Sequence, residues 1–293
     1  MKRTAPGTIV LLLGVAALTV AAVRPELRPW PGPVFQTEAA SLLRPLSRGV
    51  AFTPLLTVGD SLMPPTPEDD GFLLLPMPGG MALQSVGRGL AEVYVAHGTS
   101  WEDGVGSGRV SRLLLDRKSR RILSADWIVD GMESFERLSG GTLAVTREGF
   151  LTPHFLVGEN SLQGPNHGVV AAVSVRSGIV SALPWLGRFR HAKTLLLPFS
   201  NGRIIAILTE SGDPGRSQLY MYLAASDTDF LGGRGQLYVL RADAPREGPD
   251  TRLASMVRKT RPLTGRFVPV RGFSVAGDPM DPAAVELSDE ASG

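Results

Sequence analysis

Cysteine is absent from this chain of 293 residues. That excludes a disulfide framework and any thiolate metal ligand. It leaves a compartment outside the cytoplasm open, since exported proteins do not require disulfides. An excess of one charge is also lacking. The formal net charge is +2, and Lys2 and Arg3 account for it, so the remainder balances at 28 basic and 28 acidic residues. This balance removes the case for wholesale nucleic-acid binding. Uninterrupted stretches long enough for extended helices are scarce, because 34 glycines and 23 prolines punctuate the sequence throughout. A hydrophobic run of full membrane-spanning length is missing too. The uncharged stretch Thr8–Val23 is roughly 16 residues, against about 20 needed to cross a bilayer core.

What is present begins with that stretch. A basic start at Lys2 and Arg3, a short apolar run and the small residues Val20-Ala21-Ala22 have the form of a secretory signal. The competing reading is a retained N-terminal anchor, attached to the membrane through residues 8–23. Both readings of residues 1–23 place the body of the chain outside the cytoplasm: periplasmic, secreted or membrane-anchored. Residues 24–48 read as a proline-rich linker, with Pro25, Pro29, Pro31 and Pro33, followed by a short helix over Gln36–Leu46. Residues 273–293 carry Asp278, Asp281, Glu286, Asp289 and Glu290 and read as an acidic, disordered tail.

Between these ends, over 49–272, about eleven short runs have strand character at spacings of about 8–12 residues. Among them are Leu90–Ala96, Arg109–Leu115, Ile122–Val129, Val169–Val175, Arg203–Leu208 and Gln236–Arg241. No helical segments of crossover length separate them, which argues against a parallel α/β sheet. The expected fold class is therefore all-β. Gly168–Val175, a turn at Arg176-Ser177-Gly178, and the return Ile179–Pro184 make a hairpin of the kind found in propeller blades. The runs suffice for about three four-stranded blades, so the expectation is a β-propeller-like and incomplete architecture.

Motifs for chemistry are sparse. Gly59-Asp60-Ser61-Leu62 spells a lipase signature, but none of His97, His154, His167 and His191 lies in the context that would supply its base. Met63-Pro64-Pro65 cannot open the helix that should follow, so the motif reads as a turn. Gly104-Val105-Gly106-Ser107-Gly108 lacks the lysine and helix of a phosphate-binding loop. The histidines are too dispersed for a local zinc motif. Glu159 and Glu210 each close a strand-like run at the entrance to a loop. Carboxylates so placed bind hard cations through oxygen, and equally serve as ordinary solvated glutamates in turns.

Several blocks, read in order, resemble the exported PhoX-type alkaline phosphatases, the DUF839 β-propeller family. They include Leu55–Ser61, Val93–Gly98, Phe150–Asn160, Leu183–Phe189, Ser217–Tyr222 and Gly235–Leu240. The resemblance spans roughly Thr53–Ala242 and implies a six-bladed propeller whose mouth binds calcium and iron and hydrolyses phosphomonoesters. Carried onto this chain, it implies Glu159 and His97 as metal ligands, to which the strand-end carboxylate adds Glu210, with Ca²⁺ the expected ion; the catalytic residues stay unassigned. Asn160 stands where the family carries a second Glu, Ala96 and Gly98 flank His97 in place of Asn and Glu, and Ala192 occupies another Glu position. Loss of these anionic oxygens weakens the drive to capture cations, and without cysteine the family's iron ligation cannot form. Two functions follow: a phosphatase-related protein with a degenerate metal site, acting on a phosphate ester, or a non-catalytic propeller that binds a protein or ligand.

Overall fold

The computed structural model describes residues 26–29, 35–62, 71–100, 107–132, 134–212, 217–242 and 264–270. The chain is all-β and propeller-like. A short hairpin, β1 (Ser61–Leu62) with β2 (Phe72–Leu73), precedes three larger antiparallel sheets, each a meander of successive strands. The first blade is β3 (Pro78–Gly87), β4 (Leu90–His97), β5 (Gly108–Asp116) and β6 (Arg121–Met132). The second is β7 (Leu138–Ala144), β8 (His154–Glu159), β9 (Val170–Ser174) and β10 (Val180–Leu183). The third has five strands: β11 (His191–Leu196), β12 (Ile204–Glu210), β13 (Leu219–Ala224), β14 (Gln236–Ala242) and β15 (Gly265–Pro269).

Alternation along the strands explains how the blades stack. In β13, Tyr220, Tyr222 and Ala224 are buried while Leu219, Met221 and Leu223 are not, the period-two signature of a sheet covered on one side. Tyr94, Val110 and Ile128 from the first blade meet Phe155, Val157 and Ala171 from the second in one apolar cluster. Leu156, Val170 and Ala172 meet Ala206, Leu208 and Tyr222 across the gap to the third. Strands β8 and β9 thus bury both faces, and for that reason they read as nearly continuous apolar runs. The first blade's outward face is covered as well: Leu62, Phe72 and Leu74 pack on Val95, Leu113 and Ile122.

The first strand of each blade lies on the inside, and glycine permits the convergence. A Cβ on Gly79 would sit 2.1 Å from the Leu138 carbonyl oxygen, and one on Gly140 would sit 2.2 Å from that of Ala192. Side chains then join these strands. Ser139 Oγ donates to the His191 carbonyl at 2.6 Å, Thr142 Oγ1 donates to the Thr194 carbonyl, and Lys193 Nζ donates to the Gly141 carbonyl. Helix is confined to short pieces such as α1 (Asp227–Leu231), whose Ser226 cap accepts the Asp229 N–H at 3.1 Å. Its Phe230 packs edge-on against Phe150 and Tyr222.

The helix expected over residues 36–46 does not form. The segment runs as coil and bends, with Leu42 and Leu46 fully exposed, and Phe35 bridges to Ile122 instead. A leucine face stabilises a helix only when something packs on it, and nothing described here does. Gly59-Asp60 forms the expected turn, closed by the Thr57 N–H donating to Asp60 Oδ2 at 2.6 Å. Among the described residues no helix is long and apolar enough to cross a membrane. The signal or anchor at 1–23 and the acidic tail at 273–293 lie outside the described residues.

Candidate functional site

His97, Glu159 and Glu210 occupy equivalent places. Each ends the second strand of its blade, opposite Pro78, Leu138 and His191 at the start of the inner strand. Blade repetition therefore carries all three to the same end of the stack, and each is engaged within its own surroundings.

His97 is fully buried beside Trp127, with ring centroids 5.2 Å apart. Its Nδ1 lies 3.2 Å from the Leu75 carbonyl oxygen and its Nε2 lies 2.8 Å from Ser111 Oγ. A carbonyl can only accept, so Nδ1 donates and Nε2 takes the serine proton, which fixes a neutral tautomer. Burial holds its pKa below the usual histidine value. Both nitrogens are occupied.

Glu159 is fully buried too. Its Oε2 accepts the Gly168 N–H at 2.9 Å and its Oε1 accepts the Glu136 N–H at 3.2 Å. Those donors favour the anion, but burial outweighs them, and with the Glu136 charge adding to it the carboxyl is pushed up to about 7. Glu136 accepts from Ser161 Oγ at 2.6 Å. Glu210 is half-buried, accepts the Gln218 N–H at 3.0 Å, and is raised by burial. Among the described residues no three His, Asp or Glu side chains gather as a metal ion would require. Glu159 and Glu136 do approach one another; Glu210 and His97 do not join them in such a group.

His191 is a further buried polar group at this end. Its Nε2 donates to the Gly187 carbonyl at 3.1 Å, it stacks on Phe189 at 3.9 Å, and its Nδ1 is buried without a hydrogen-bond partner. Burial lowers its pKa to about 4, so the ring is neutral at physiological pH.

One concave feature at this end is a cleft of about 370 Å³ between the first two blades, lined by Met77, Gly79, Gly98, Arg137, Ser139 and Asn160 among others. That volume falls in the range of small-ligand sites. Arg137 supplies the charge, and no carboxylate lines the cleft among the described residues. The arginine backbone sits in the left-handed region at φ 50, as does Met77 at φ 56. The Arg137 N–H donates to the Thr99 carbonyl at 3.1 Å, and its own carbonyl accepts the Asn160 N–H at 3.1 Å. Partners from both blades thus impose a backbone conformation that a non-glycine residue adopts only when its surroundings over-determine it.

Arg137 and Ser139 were not legible as site residues from the sequence, because an isolated basic residue before a strand has no distinguishing pattern. The available signal was the pair Gly140-Gly141 just after them, which marks the close approach of inner strands. Asn160 was visible only as a substitution for an expected glutamate.

No family model and no curated protein matches the chain. Among solved structures, the chain is similar to Pseudomonas fluorescens PhoX in complex with vanadate, at 14% identity and a TM-score of 0.36, covering 59% of this chain and 46% of that one. It is also similar to a GH43 β-1,3-galactosidase with galactodeoxynojirimycin, at 11% identity and a TM-score of 0.30, covering 68% of this chain and 73% of that one. The chain therefore spans less than half of the PhoX structure, and both likenesses are distant.

Proposed function

We propose that this protein is a non-catalytic, exported propeller-like module that binds a small anionic ligand in the cleft between its first two blades. The observation that carries this reading is Arg137, locked from both blades at the cleft and joined there by Ser139 and Asn160. A guanidinium with the Asn160 amide beside it suits an oxyanion such as phosphate or a carboxylate. Calorimetric titration of the full chain with inorganic phosphate tests it. Saturable binding is expected, weakened at least about tenfold by Arg137→Gly, the loss of one charge-assisted hydrogen bond or more. Glycine also accepts the φ of 50, so this variant removes the charge without straining the backbone. Heat identical to buffer dilution would reject the reading.

The approach of Glu159 and Glu136 favours a second reading, a phosphatase-related protein of the PhoX kind with a reduced Ca²⁺ site. In it Glu159 and Glu136 would supply the oxygen ligands, while Glu210 and His97, expected as further ligands, stand outside that pair. Occupation would require Glu159 to ionise and exchange its two backbone N–H donors for the ion. Turnover of p-nitrophenyl phosphate with added Ca²⁺, abolished in Glu159→Gln, is the outcome that would establish it.

A further inference from the structure

A chain whose charges balance overall distributes them unevenly between the two ends of its blades. The meanders place the turns that join first to second strands, and third to fourth, at the end opposite His97, Glu159 and Glu210. The β5–β6 turn carries Arg117, Lys118, Arg120 and Arg121, all exposed. Arg88 stands on the adjoining β3–β4 turn, where the Gly89 carbonyl accepts the Arg117 N–H at 2.9 Å. Arg176 and Arg203 carry the same character onto turns of the second and third blades. Carboxylates on these turns are engaged locally. Asp116 accepts from the Lys118 N–H and the Ser119 hydroxyl, Glu148 is buried within its own turn, Asp227 accepts the Leu151 N–H, and Asp229 holds Arg234 at 2.7 Å. Large apolar side chains protrude at the same tips. Leu151 is 82% exposed and Ile179 52%, and Val86 and Phe199 are exposed as well.

We propose that this end rests on a bilayer surface with anionic headgroups, its cations meeting the headgroup phosphates and its apolar tips entering the acyl boundary. Two observations select a membrane over another anionic partner. Cations interleaved with protruding aliphatic residues have the composition of an interfacial footprint, electrostatic attraction adding to apolar insertion. A nucleic acid or an acidic protein would use the arginines and give Leu151 and Ile179 nothing to enter. The second observation is where the chain joins the body. Phe35 bridges to Ile122, the neighbour of Arg121. The sequence leading back to the apolar stretch Thr8–Val23 therefore departs from this same end. The Arg137 cleft, at the other end of the strands, then faces away from the bilayer and stays open to solutes, whatever it binds.

Because the chain lacks cysteine, a single introduced thiol can carry an environment-sensitive fluorophore at either end of the full chain. Leu151→Cys reports on the basic tips, and Ser217→Cys, exposed between β12 and β13, reports on the cleft end. Vesicles of equal parts phosphatidylglycerol and phosphatidylcholine should shift the Leu151→Cys emission to the blue and leave Ser217→Cys unchanged. Arg117→Gln combined with Lys118→Gln should weaken the vesicle affinity read by the Leu151→Cys label at least about tenfold. Inorganic phosphate added at constant ionic strength should leave the shift in place, which separates this end from the Arg137 cleft. No shift at Leu151→Cys, an equal shift at Ser217→Cys, or affinity indifferent to the two lost cations would overturn the proposal. Release by inorganic phosphate would overturn it too, and an equal shift with poly-glutamate would assign the end to an acidic protein instead.

Discussion

Two buried groups at the end of the molecule that carries the Arg137 cleft pull its stability in opposite directions as pH changes. Glu159 is raised to about 7 in the folded state from 4.5. Between those values the folded state holds a proton that the unfolded chain has lost, so stability falls as pH rises through that window. The full difference is about 3 kcal/mol, at 1.36 kcal/mol per pKa unit. His191 falls to about 4 from 6.5. Here the unfolded chain holds the extra proton, so stability rises with pH from about 4 to 6.5. The contributions oppose each other over the shared range. Urea unfolding of Glu159→Gln across pH 4.5 to 7.5 should therefore show stability climbing more steeply with pH than in the parent chain. An unchanged slope would mean that Glu159 titrates normally despite its burial. Cleft and carboxylates were unequally legible in the sequence. Glu159 stood out because it ends a strand, whereas its pairing with Glu136 depends on a loop that no spacing rule anticipates.

At the level of strands, the outer parts of each blade were readable; of the inner strands, the runs Thr142–Thr146 and Thr194–Leu197 marked parts of β7 and β11, and β3 was not readable. Strands β4, β5, β9 and β12 appear in the sequence as alternating or continuous apolar runs, because their surroundings are fixed by blade stacking. Strand β3 opens with Pro78-Gly79-Gly80, residues that normally signal a break. Those glycines are there because inner strands approach within backbone contact, a demand set by the assembled blades and invisible to local pattern. The same logic predicts how alanine substitutions divide. Gly140→Ala meets the Ala192 carbonyl at 2.2 Å and a φ of 62, while Gly87→Ala has the φ of 83 but open space around it. Left-handed backbone costs a non-glycine residue about 1 kcal/mol and overpacking adds about 1–3 kcal/mol, so thermal unfolding should separate the two variants by at least about 1 kcal/mol. Equal losses would contradict the close approach of the inner strands.

A further element-level feature is the ionic group inside the first blade's packed face. Arg112 donates to both oxygens of Asp126, at 3.1 and 2.8 Å, and reaches Glu92 at 3.5 Å, while the Tyr94 hydroxyl donates to Glu92. The arginine is nearly buried. Arg112→Leu would strand two carboxylates without their cation, and the expected cost is about 3 kcal/mol in denaturant unfolding. A loss below about 1 kcal/mol would mark the group as solvent-screened, like an ordinary surface pair.

On the scale of the whole molecule, composition anticipated an all-β chain with strands for about three blades, and three blades are what the described residues form. The five-stranded last blade was harder to foresee, since β15 follows β14 only after a long intervening stretch. Among the described residues the outward face of the first blade is covered by β1 and β2, and the Arg137 cleft lies at one end of the stack.

The central claim is that a phosphate-bearing ligand is bound at Arg137 and left intact. The most direct measurement is a titration of the full chain with p-nitrophenyl phosphate, in which binding heat and p-nitrophenol release are followed on the same sample with Ca²⁺ present. Saturable binding without product, lost in Arg137→Gly and retained in Glu159→Gln, is the predicted result. Product release that requires both Ca²⁺ and Glu159, and is indifferent to Arg137, would contradict it.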